Sequence, residues 1–228
     1  HTTGGVRRHV TRPPHLRSAM PDDLFSTPGL PPINLIPRDG VLHDLGTMLT
    51  AREADAAFQA LQAEAAWEHD TLRMHGRTVV TRREIAWHGD PGMVYRYSGR
   101  PHAAAPWTPT LQHLRDEVSL LTGSTFNSCL LNLYHDGREG MGWHSDDEPE
   151  LGPLPCIASL SLGATRRFRF RHRSMPHTCE LLLHHGQLIV MAGTLQRHWQ
   201  HALPPMTGIR EPRINLTFRT ITLPPSAR

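Results

Sequence analysis

Short strand-like runs separated by turn signals fill the sequence from residue 127 onward and constrain its fold more than any other feature. Runs of four to eight residues rich in aliphatic and aromatic side chains are typical of β-strands. The predicted strands are Ser128–Tyr134, Ile157–Leu162, Arg167–Arg171, Glu180–Leu183, Leu188–Met191 and Ile214–Phe218. Asp136-Gly137 and His185-Gly186 are turn dipeptides between them. Because the strands follow a helical segment, the pattern predicts an α+β domain with a jelly-roll or sandwich core.

Two amphipathic helices are predicted ahead of these strands. Thr50 opens a capping box, and apolar residues then recur at helical spacing, which predicts a helix over about 51–67. A second helix begins at Thr108-Pro109, a cap followed by proline at the first helical position, and Gly123 ends it. We expect both helices to support the strands, with one face packed and the other solvated.

The organisation of the chain beyond these elements is simple. Residues 1–32 are rich in Pro and Arg without an apolar period, which predicts a flexible N-terminal arm. Residues 33–228 are expected to form one domain. No apolar run approaches the ~18 residues that span a bilayer, and no secretory segment is visible, so no membrane association and a cytoplasmic location are expected. The three cysteines show no Cys-x-x-Cys spacing, and no dimerisation signature is present, so we expect reduced thiols and a monomer.

His144-Ser-Asp146 has the spacing of a metal-ligand pair. On an extended strand, residues two apart point to the same side, so both side chains can reach one ion. His201, 55 residues after Asp146, is a candidate third ligand. Two histidines and one carboxylate form the facial triad of non-haem iron oxygenases, which leaves coordination positions open. Three other histidines compete for the third position by spacing alone: His184, His185 and His198.

A second motif, Arg213-Ile-Asn-Leu-Thr-Phe-Arg219, alternates polar and apolar residues with the period of a strand. Arg213, Asn215, Thr217 and Arg219 therefore share one face. Two arginines on one face indicate an anion site, since the guanidinium fork binds carboxylates. The alternative interpretation is a solvated face of an edge strand.

These motifs occur in an order that resembles the AlkB family. The resemblance rests on Asn132-Leu-Tyr134-His-Asp-Gly137, His144-Ser-Asp146-Asp147-Glu148, Ile157-Ala-Ser-Leu-Ser-Leu-Gly163, Arg169-Phe-Arg171-His, Trp199-Gln-His201-Ala-Leu-Pro204 and Pro212-Arg213-Ile-Asn-Leu-Thr-Phe-Arg219. It covers roughly residues 70 to 221 and is nearest the branch that acts on alkylated DNA. It implies a double-stranded β-helix (jelly-roll) core over about 125–221, supporting N-terminal helices and a nucleotide-recognition lid over about 70–100.

The resemblance also implies cofactors and the residues that hold them. Fe(II) is expected on His144, Asp146 and His201, with 2-oxoglutarate and dioxygen as co-substrates. Arg213 is expected to bind the distal carboxylate of 2-oxoglutarate, and Arg219 the carboxylate next to the keto group. Four further residues are expected to line the co-substrate site: Asn132, Tyr134, Asn215 and Thr217.

The lid segments are expected to cover a flipped base. Six residues are assigned to substrate binding by the resemblance: Arg83, Tyr95, Tyr97, Ser98, Asp147 and Glu148. Tyr97 is expected to stack on the base, and the two acidic residues to read its exocyclic edge or added positive charge. Where duplex-reading relatives carry an aromatic wedge, this chain has Met74-His75-Gly76. Single-stranded DNA is therefore expected to be handled at least as well as duplex.

The segment Arg166–Arg173 places four arginines on one strand face: Arg167, Arg169, Arg171 and Arg173. Such a stripe suits a phosphate backbone, although an exposed basic β face is the alternative. The net charge of the chain is only +3, too small to establish nucleic-acid binding by itself.

The expected function is oxidative dealkylation of N1-methyladenine and N3-methylcytosine in DNA, with release of formaldehyde, succinate and carbon dioxide. Two alternatives stay open at this point. The same chemistry on RNA or tRNA has the same metal motif, and a catalytically inactive nucleic-acid-binding module has the same lid. Intact metal and arginine motifs favour an enzyme over the inactive module.

Overall fold

The computed structural model describes residues 32–74, 76–97 and 100–222. Within them the chain forms three helices, α1 Ala51–Glu64, α2 Pro109–Thr122 and α3 Leu195–His198, and a single 3-10 turn at Pro149–Leu151. The strands are β1 Val41–Thr47, β2 Glu68–Met74, β3 Arg77–Gly89, β4 Val94–Tyr97, β5 Arg100–Ala103, β6 Ser128–Tyr134, β7 Met141–His144, β8 Ile157–Gly163, β9 Arg166–His172, β10 Thr178–Leu183, β11 Gln187–Ala192, β12 Trp199–Leu203 and β13 Arg213–Arg219. The predicted arm lies, except for Pro32, outside the described residues.

Two antiparallel sheets build the core. The larger sheet has the order β1-β11-β8-β13-β6-β3-β2, and the smaller one has the order β10-β9-β12-β7. Strands β4 and β5 form a separate pair. Because strands distant in sequence are neighbours in both sheets, the topology is that of a jelly roll, which confirms the predicted fold class. No helix in the described part of the chain is long and apolar enough to cross a membrane.

The two helices pack where the sequence predicts them. Thr50 and Glu53 make the reciprocal capping-box bonds of α1, and the Thr108 hydroxyl accepts a hydrogen bond from the first turn of α2. Gly123 ends α2 in the left-handed region, with φ 65°. The predicted first helix was too long, because Ala65 already has extended backbone angles. Both helices bury their apolar faces in one cluster with the larger sheet.

All six predicted strands are present, each within two residues of its expected bounds. Before residue 127 the described chain also has five strands, β1 to β5, for which the sequence predicted no bounds. The cause lies in burial: β3 begins with four exposed residues and carries charged side chains, so it lacks the apolar alternation of a half-buried strand. The β2–β3 hairpin extends the larger sheet at its edge.

Burial of the central strand β13 predicts a large effect on stability. Leu216 is 0% exposed and lies in the cluster between the larger sheet and the helices. We expect Leu216→Ala to lower the free energy of unfolding by about 2–5 kcal/mol, since the cavity adds to the lost burial. The matched change Leu120→Ala removes a leucine that is 80% exposed and should alter stability by no more than about 0.5 kcal/mol. Urea unfolding of both variants measures the difference, and equal losses would contradict the assignment of this core.

Candidate metal and co-substrate site

His144, Asp146 and His201 come together at one end of the smaller sheet. His144 and His201 are directly paired across β7 and β12, and their ring centroids lie 4.3 Å apart. Asp146 Oδ2 is 3.7 Å from His201 Nε2, and the ligand atoms of all three residues lie within 4.8 Å of one another. One local expectation was wrong: β7 ends at His144, so Asp146 reaches the cluster from the segment after the strand. The structure therefore assembles the predicted triad by a different local route.

Hydrogen bonding and burial set the protonation of these three side chains. The Gly142 carbonyl can only accept, so His144 Nδ1 donates to it at 2.8 Å and the Nε2 lone pair stays available. Burial lowers the pKa of His201 to about 3, which keeps its imidazole neutral. Burial would raise the pKa of Asp146, but the nearby Arg219, His201 and His144 outweigh it, and the pKa lies below its usual value. Two imidazoles and a carboxylate form a donor set that fits a divalent iron.

The competing histidines are held elsewhere. His185 Nδ1 accepts the Gly163 backbone N–H at 2.8 Å, and its Nε2 lies 3.1 Å from an Asp55 oxygen. His184 is exposed beside it at the end of β10. His198 belongs to a different cluster. None of these three histidines lies with His144 and Asp146, so His201 is the histidine that the fold places beside them.

The second cluster consists of Asp39, His172 and His198, whose ligand atoms also lie within 4.8 Å of one another. His172 Nδ1 accepts the backbone N–H groups of Ser174 and Met175, each at 3.2 Å. Its proton therefore sits on Nε2, which donates to Asp39 Oδ2 at 3.0 Å. A metal at Nε2 would have to displace that proton. The arrangement fits a hydrogen-bonded clamp between β9 and the segment before β1 better than a metal centre.

The polar face of β13, which is predicted to bind an anion, belongs to a central strand of the larger sheet. This strand lies between β8 and β6, so the solvated edge-strand interpretation is wrong. Arg213 is 2% exposed and donates from Nη2 to Ser161 Oγ and Asn215 Oδ1, both at 2.9 Å. Asn215 in turn donates to Thr217 Oγ1 at 2.9 Å. Ser161 of β8 and three side chains of β13, Arg213, Asn215 and Thr217, are thus joined by hydrogen bonds on one face of the sheet.

Arg213 carries a buried charge that calls for an anion. Burial lowers its pKa to about 10, so it remains a cation at neutral pH. No carboxylate of the described residues pairs with it, and its Nε lacks a hydrogen-bond partner among them. A buried cation without a counter-charge is costly. A carboxylate ligand would supply that charge, and this is the observation on which 2-oxoglutarate fits the site.

Arg219, at the other end of the strand face, borders the metal ligands. Its Nη2 donates to Asp146 Oδ1 at 2.6 Å, and Nη1 lies 3.9 Å from Glu148 Oε1. The Arg219 charge stabilises the ionised form of Asp146. The two arginines of the motif therefore differ: Arg219 pairs with Asp146 beside the metal cluster, whereas no carboxylate of the described residues pairs with Arg213.

A single cavity of about 370 Å³ joins the metal cluster, the anion site and the lid strands. The predicted site residues that line it are Arg83, Asn132, Tyr134, His144, Asp146, Glu148, His201, Arg213, Asn215, Thr217 and Arg219. Asp147 does not line it; this side chain is exposed and lies 3.4 Å from Arg173. The expected contact between Asp147 and a base in this cavity therefore lacks support, because the chain turns it toward the surface.

The structure describes some of the residues predicted to form the lid. Arg83, on β3, is 4% exposed and pairs with Asp70. Tyr95 and Tyr97 lie on β4, and Ser98 is outside the described residues. Asp70 and Trp87 also line the cavity. Both fall within the predicted lid, about residues 70–100, but neither was among the six residues assigned to substrate binding. Trp87 lies four residues after Arg83 on β3, so strand spacing could have indicated it, whereas no pattern in β2 indicated Asp70.

Gln196 is a further residue that sequence reasoning missed. It is 4% exposed, and its Oε1 accepts the Asp146 backbone N–H at 2.9 Å. Because outer-shell partners orient metal ligands, we expect Gln196→Leu to weaken Mn(II) or Fe(II) binding by about 10–100-fold. Gln112→Leu, at an exposed position of α2, is the matched control. Calorimetric titration with Mn(II) measures both, and an unchanged affinity for Gln196→Leu would refute this positioning role.

Comparisons with known proteins agree with the geometry. The family model of the 2OG-Fe(II) oxygenase superfamily matches residues 42–219. The chain is 39% identical over 201 residues to DNA oxidative demethylase ALKBH2 from Bos taurus, covering 83% of this chain and 72% of that protein. It is 41% identical over 180 residues to bovine alpha-ketoglutarate-dependent dioxygenase alkB homolog 3, covering 75% of this chain and 62% of the relative. The solved structure of OsALKBH1 matches 85% of this chain with a TM-score of 0.55 at 16% identity, which shows the shared fold.

Membership of this superfamily implies Fe(II), 2-oxoglutarate and dioxygen as cofactor and co-substrates. The His-Asp-His cluster fits Fe(II), and the buried Arg213 fits 2-oxoglutarate. The chain belongs to the 2OG-Fe(II) oxygenase superfamily, within its AlkB-related branch, and is an Fe(II)- and 2-oxoglutarate-dependent dioxygenase.

Proposed function

We propose that this dioxygenase removes alkyl groups oxidatively from bases in DNA. The observation that carries the proposal is the single cavity shared by the His144–Asp146–His201 cluster, the buried Arg213 and the lid strands. It offers room for a co-substrate and for a second molecule beside the metal. The names of the relatives support DNA as that second molecule, since two of them, from Bos taurus and Homo sapiens, are called DNA oxidative demethylase.

Each residue has a distinct proposed role. His144, Asp146 and His201 hold Fe(II) with coordination positions left open, and Arg213 holds the distal carboxylate of 2-oxoglutarate. Arg219 keeps Asp146 ionised and borders the place of the carboxylate next to the keto group. With dioxygen as the oxidant, bound iron and 2-oxoglutarate would supply the oxidation of the alkyl carbon; 2-oxoglutarate would leave as succinate and carbon dioxide, and a methyl group as formaldehyde.

The lid side of the cavity is the proposed place of the flipped base. Trp87 and Arg83 line it from β3, and Glu148 lines it beside the metal ligands. N1-methyladenine and N3-methylcytosine carry a positive charge, which the Glu148 carboxylate complements. Tyr95 and Tyr97 lie on the β4–β5 pair and keep their predicted role of stacking on the base.

The arginine stripe of β9 supports a nucleic-acid substrate. Arg167, Arg169 and Arg171 on β9 and Arg173 just after it are exposed, while Phe168 and Phe170 on the opposite face of the strand are buried. Arg171 lies over the Trp143 ring at 4.3 Å, and Trp143 immediately precedes the ligand His144. One arginine of the stripe therefore contacts the residue next to a proposed metal ligand. We propose that it contacts phosphates, and that single strands are handled at least as well as duplexes.

Mass spectrometry of a short single-stranded DNA with one N1-methyladenine tests the proposal. The DNA is incubated with the protein, Fe(II), ascorbate and 2-oxoglutarate, in parallel with the same lesion in a duplex and in RNA. The expected result is loss of one methyl group that requires 2-oxoglutarate, with the single strand processed at least as fast as the duplex. Faster demethylation of the RNA would show that RNA, and not DNA, is the preferred substrate. Succinate formation without methyl loss from the single strand, the duplex or the RNA would refute base dealkylation.

A further inference from the structure

A buried ion pair lies in the lid side of the cavity. Arg83 and Asp70 are 4% and 2% exposed, and both line the cavity. Arg83 Nη2 donates to Asp70 Oδ2, and its Nη1 lies 3.0 Å from Met141 Sδ. A thioether adds no charge, so Asp70 supplies the negative charge beside this guanidinium. Neither Asp70 nor the pair as a whole belongs to the iron or 2-oxoglutarate sites.

An irregularity in strand pairing places this pair. His69 pairs with Glu84, but Thr71 pairs with Val80, so residues 81–83 of β3 lie opposite Asp70 alone. The Thr81 hydroxyl holds this bulge through contacts with the carbonyl oxygens of Arg83 at 2.7 Å and Asp70 at 3.2 Å. Bulges beside active sites typically redirect a side chain. Here the bulge lies where Arg83 and Asp70 meet at the cavity wall.

The charge of Arg83 poses a problem for a cationic base. An uncompensated guanidinium in the cavity wall would repel N1-methyladenine or N3-methylcytosine. The ion pair with Asp70 offsets the Arg83 charge at the cavity wall. Arg83 can thus take part in the lid without excluding a positively charged base.

We infer that Asp70 is a specificity-determining residue, which neutralises Arg83 so that the cavity accepts cationic bases in preference to neutral ones. This inference rests on the proposed function for the identity of the base. A purely structural pair that only fastens β2 to β3 would affect cationic and neutral bases alike. The ratio of affinities for the two kinds of base separates the possibilities.

The test compares binding of two single-stranded DNAs by fluorescence anisotropy, one with N1-methyladenine and one with the uncharged N3-methylthymine. Four proteins are measured without added iron: wild type, Asp70→Asn, Asp70→Asn/Arg83→Met and the control Asp136→Asn. The control removes a carboxylate paired with Arg138 outside the cavity. Demethylation of both DNAs with iron and 2-oxoglutarate is measured in parallel.

In Asp70→Asn, the preference for the cationic base is expected to fall about tenfold, the change that about 1.4 kcal/mol of charge interaction produces. The double variant removes both charges of the ion pair, so its preference for the cationic base should return to within about threefold of wild type. The control should match wild type. Equal weakening of both DNAs in Asp70→Asn would overturn the inference.

The double variant keeps the test decisive if Asp70→Asn does not fold. A tenfold loss of preference in the double variant would show that Asp70 does not act by neutralising Arg83, and would also overturn the inference. Failure of the proposed function has a different signature: wild type would bind the DNAs but remove neither methyl group, and the binding ratios would still decide the role of Asp70.

Discussion

Asp146→Asn is expected to lower iron-dependent succinate formation by more than about 100-fold, because even outer-shell changes at metal sites cost about 10–100-fold. Asparagine keeps the shape of the side chain and the backbone hydrogen bond to Gln196. It removes the only carboxylate of the triad and one of the two carboxylates beside Arg219. Breaking the buried Asp146–Arg219 pair should also lower the free energy of unfolding by up to about 3–5 kcal/mol, so the variant is assayed well below its melting temperature.

Glu180→Gln is the matched control for this prediction. Glu180 pairs with Arg167 and Arg169 on the outer face of the smaller sheet, with both distances 3.2 Å. Its loss should leave succinate formation within about twofold of wild type, since exposed ion pairs contribute little. Substantial turnover by a folded Asp146→Asn protein would contradict the assignment of the metal ligands.

The second large effect is expected at Arg213. Arg213→Met removes the buried cation while keeping much of the side-chain volume, and the KM for 2-oxoglutarate should rise at least about 30-fold, equivalent to about 2 kcal/mol. The kcat at saturating 2-oxoglutarate should change much less, because the distal carboxylate is remote from the reacting carbon. Succinate formation at a series of 2-oxoglutarate concentrations measures both constants.

Two further variants sharpen the result. Arg167→Met removes an exposed arginine from β9 and should leave the KM for 2-oxoglutarate unchanged. Arg213→Lys should restore only part of the affinity, because an ammonium cannot form two parallel bonds to a carboxylate. A KM for 2-oxoglutarate that is the same in Arg213→Met and wild type would show that the buried charge serves another ligand.

The strands after residue 127 could be predicted because each is a buried or half-buried run with a clear pattern. β8, for example, is buried at all but its last residue, and β9 alternates throughout. The earlier strands could not, because β3 carries charged side chains and its first four residues, which pair with β2 alone, are exposed. Helix α1 ends at Glu64 although alanines continue beyond it, since the chain must turn there to enter β2. Propensity alone does not reveal that turn.

The candidate site divides along the same line. The β13 motif could be predicted because its alternation reflects strand geometry. In the triad, the close spacing of His144 and Asp146 indicated a ligand pair, whereas His201, which lies far away in sequence, was selected among the competing histidines by the family resemblance. Gln196 and Asp70 could not, since each acts through a contact between segments far apart in sequence or across an irregular strand pair. Asp147 shows the reverse case: it adjoins the ligand Asp146 in sequence, yet the chain turns its side chain to the surface.

The central claim is that one cavity binds Fe(II) through the triad and 2-oxoglutarate through Arg213 at the same time. The most direct measurement is an anaerobic titration of the protein with Fe(II) and then 2-oxoglutarate, followed by visible absorption. We expect a charge-transfer band that forms only after both additions. The band should be lost in Asp146→Asn, and in Arg213→Met it should require at least about 30-fold more 2-oxoglutarate. A band that survives in Asp146→Asn, or that forms at the same 2-oxoglutarate concentration in Arg213→Met, would show that these residues do not bind Fe(II) and 2-oxoglutarate as proposed.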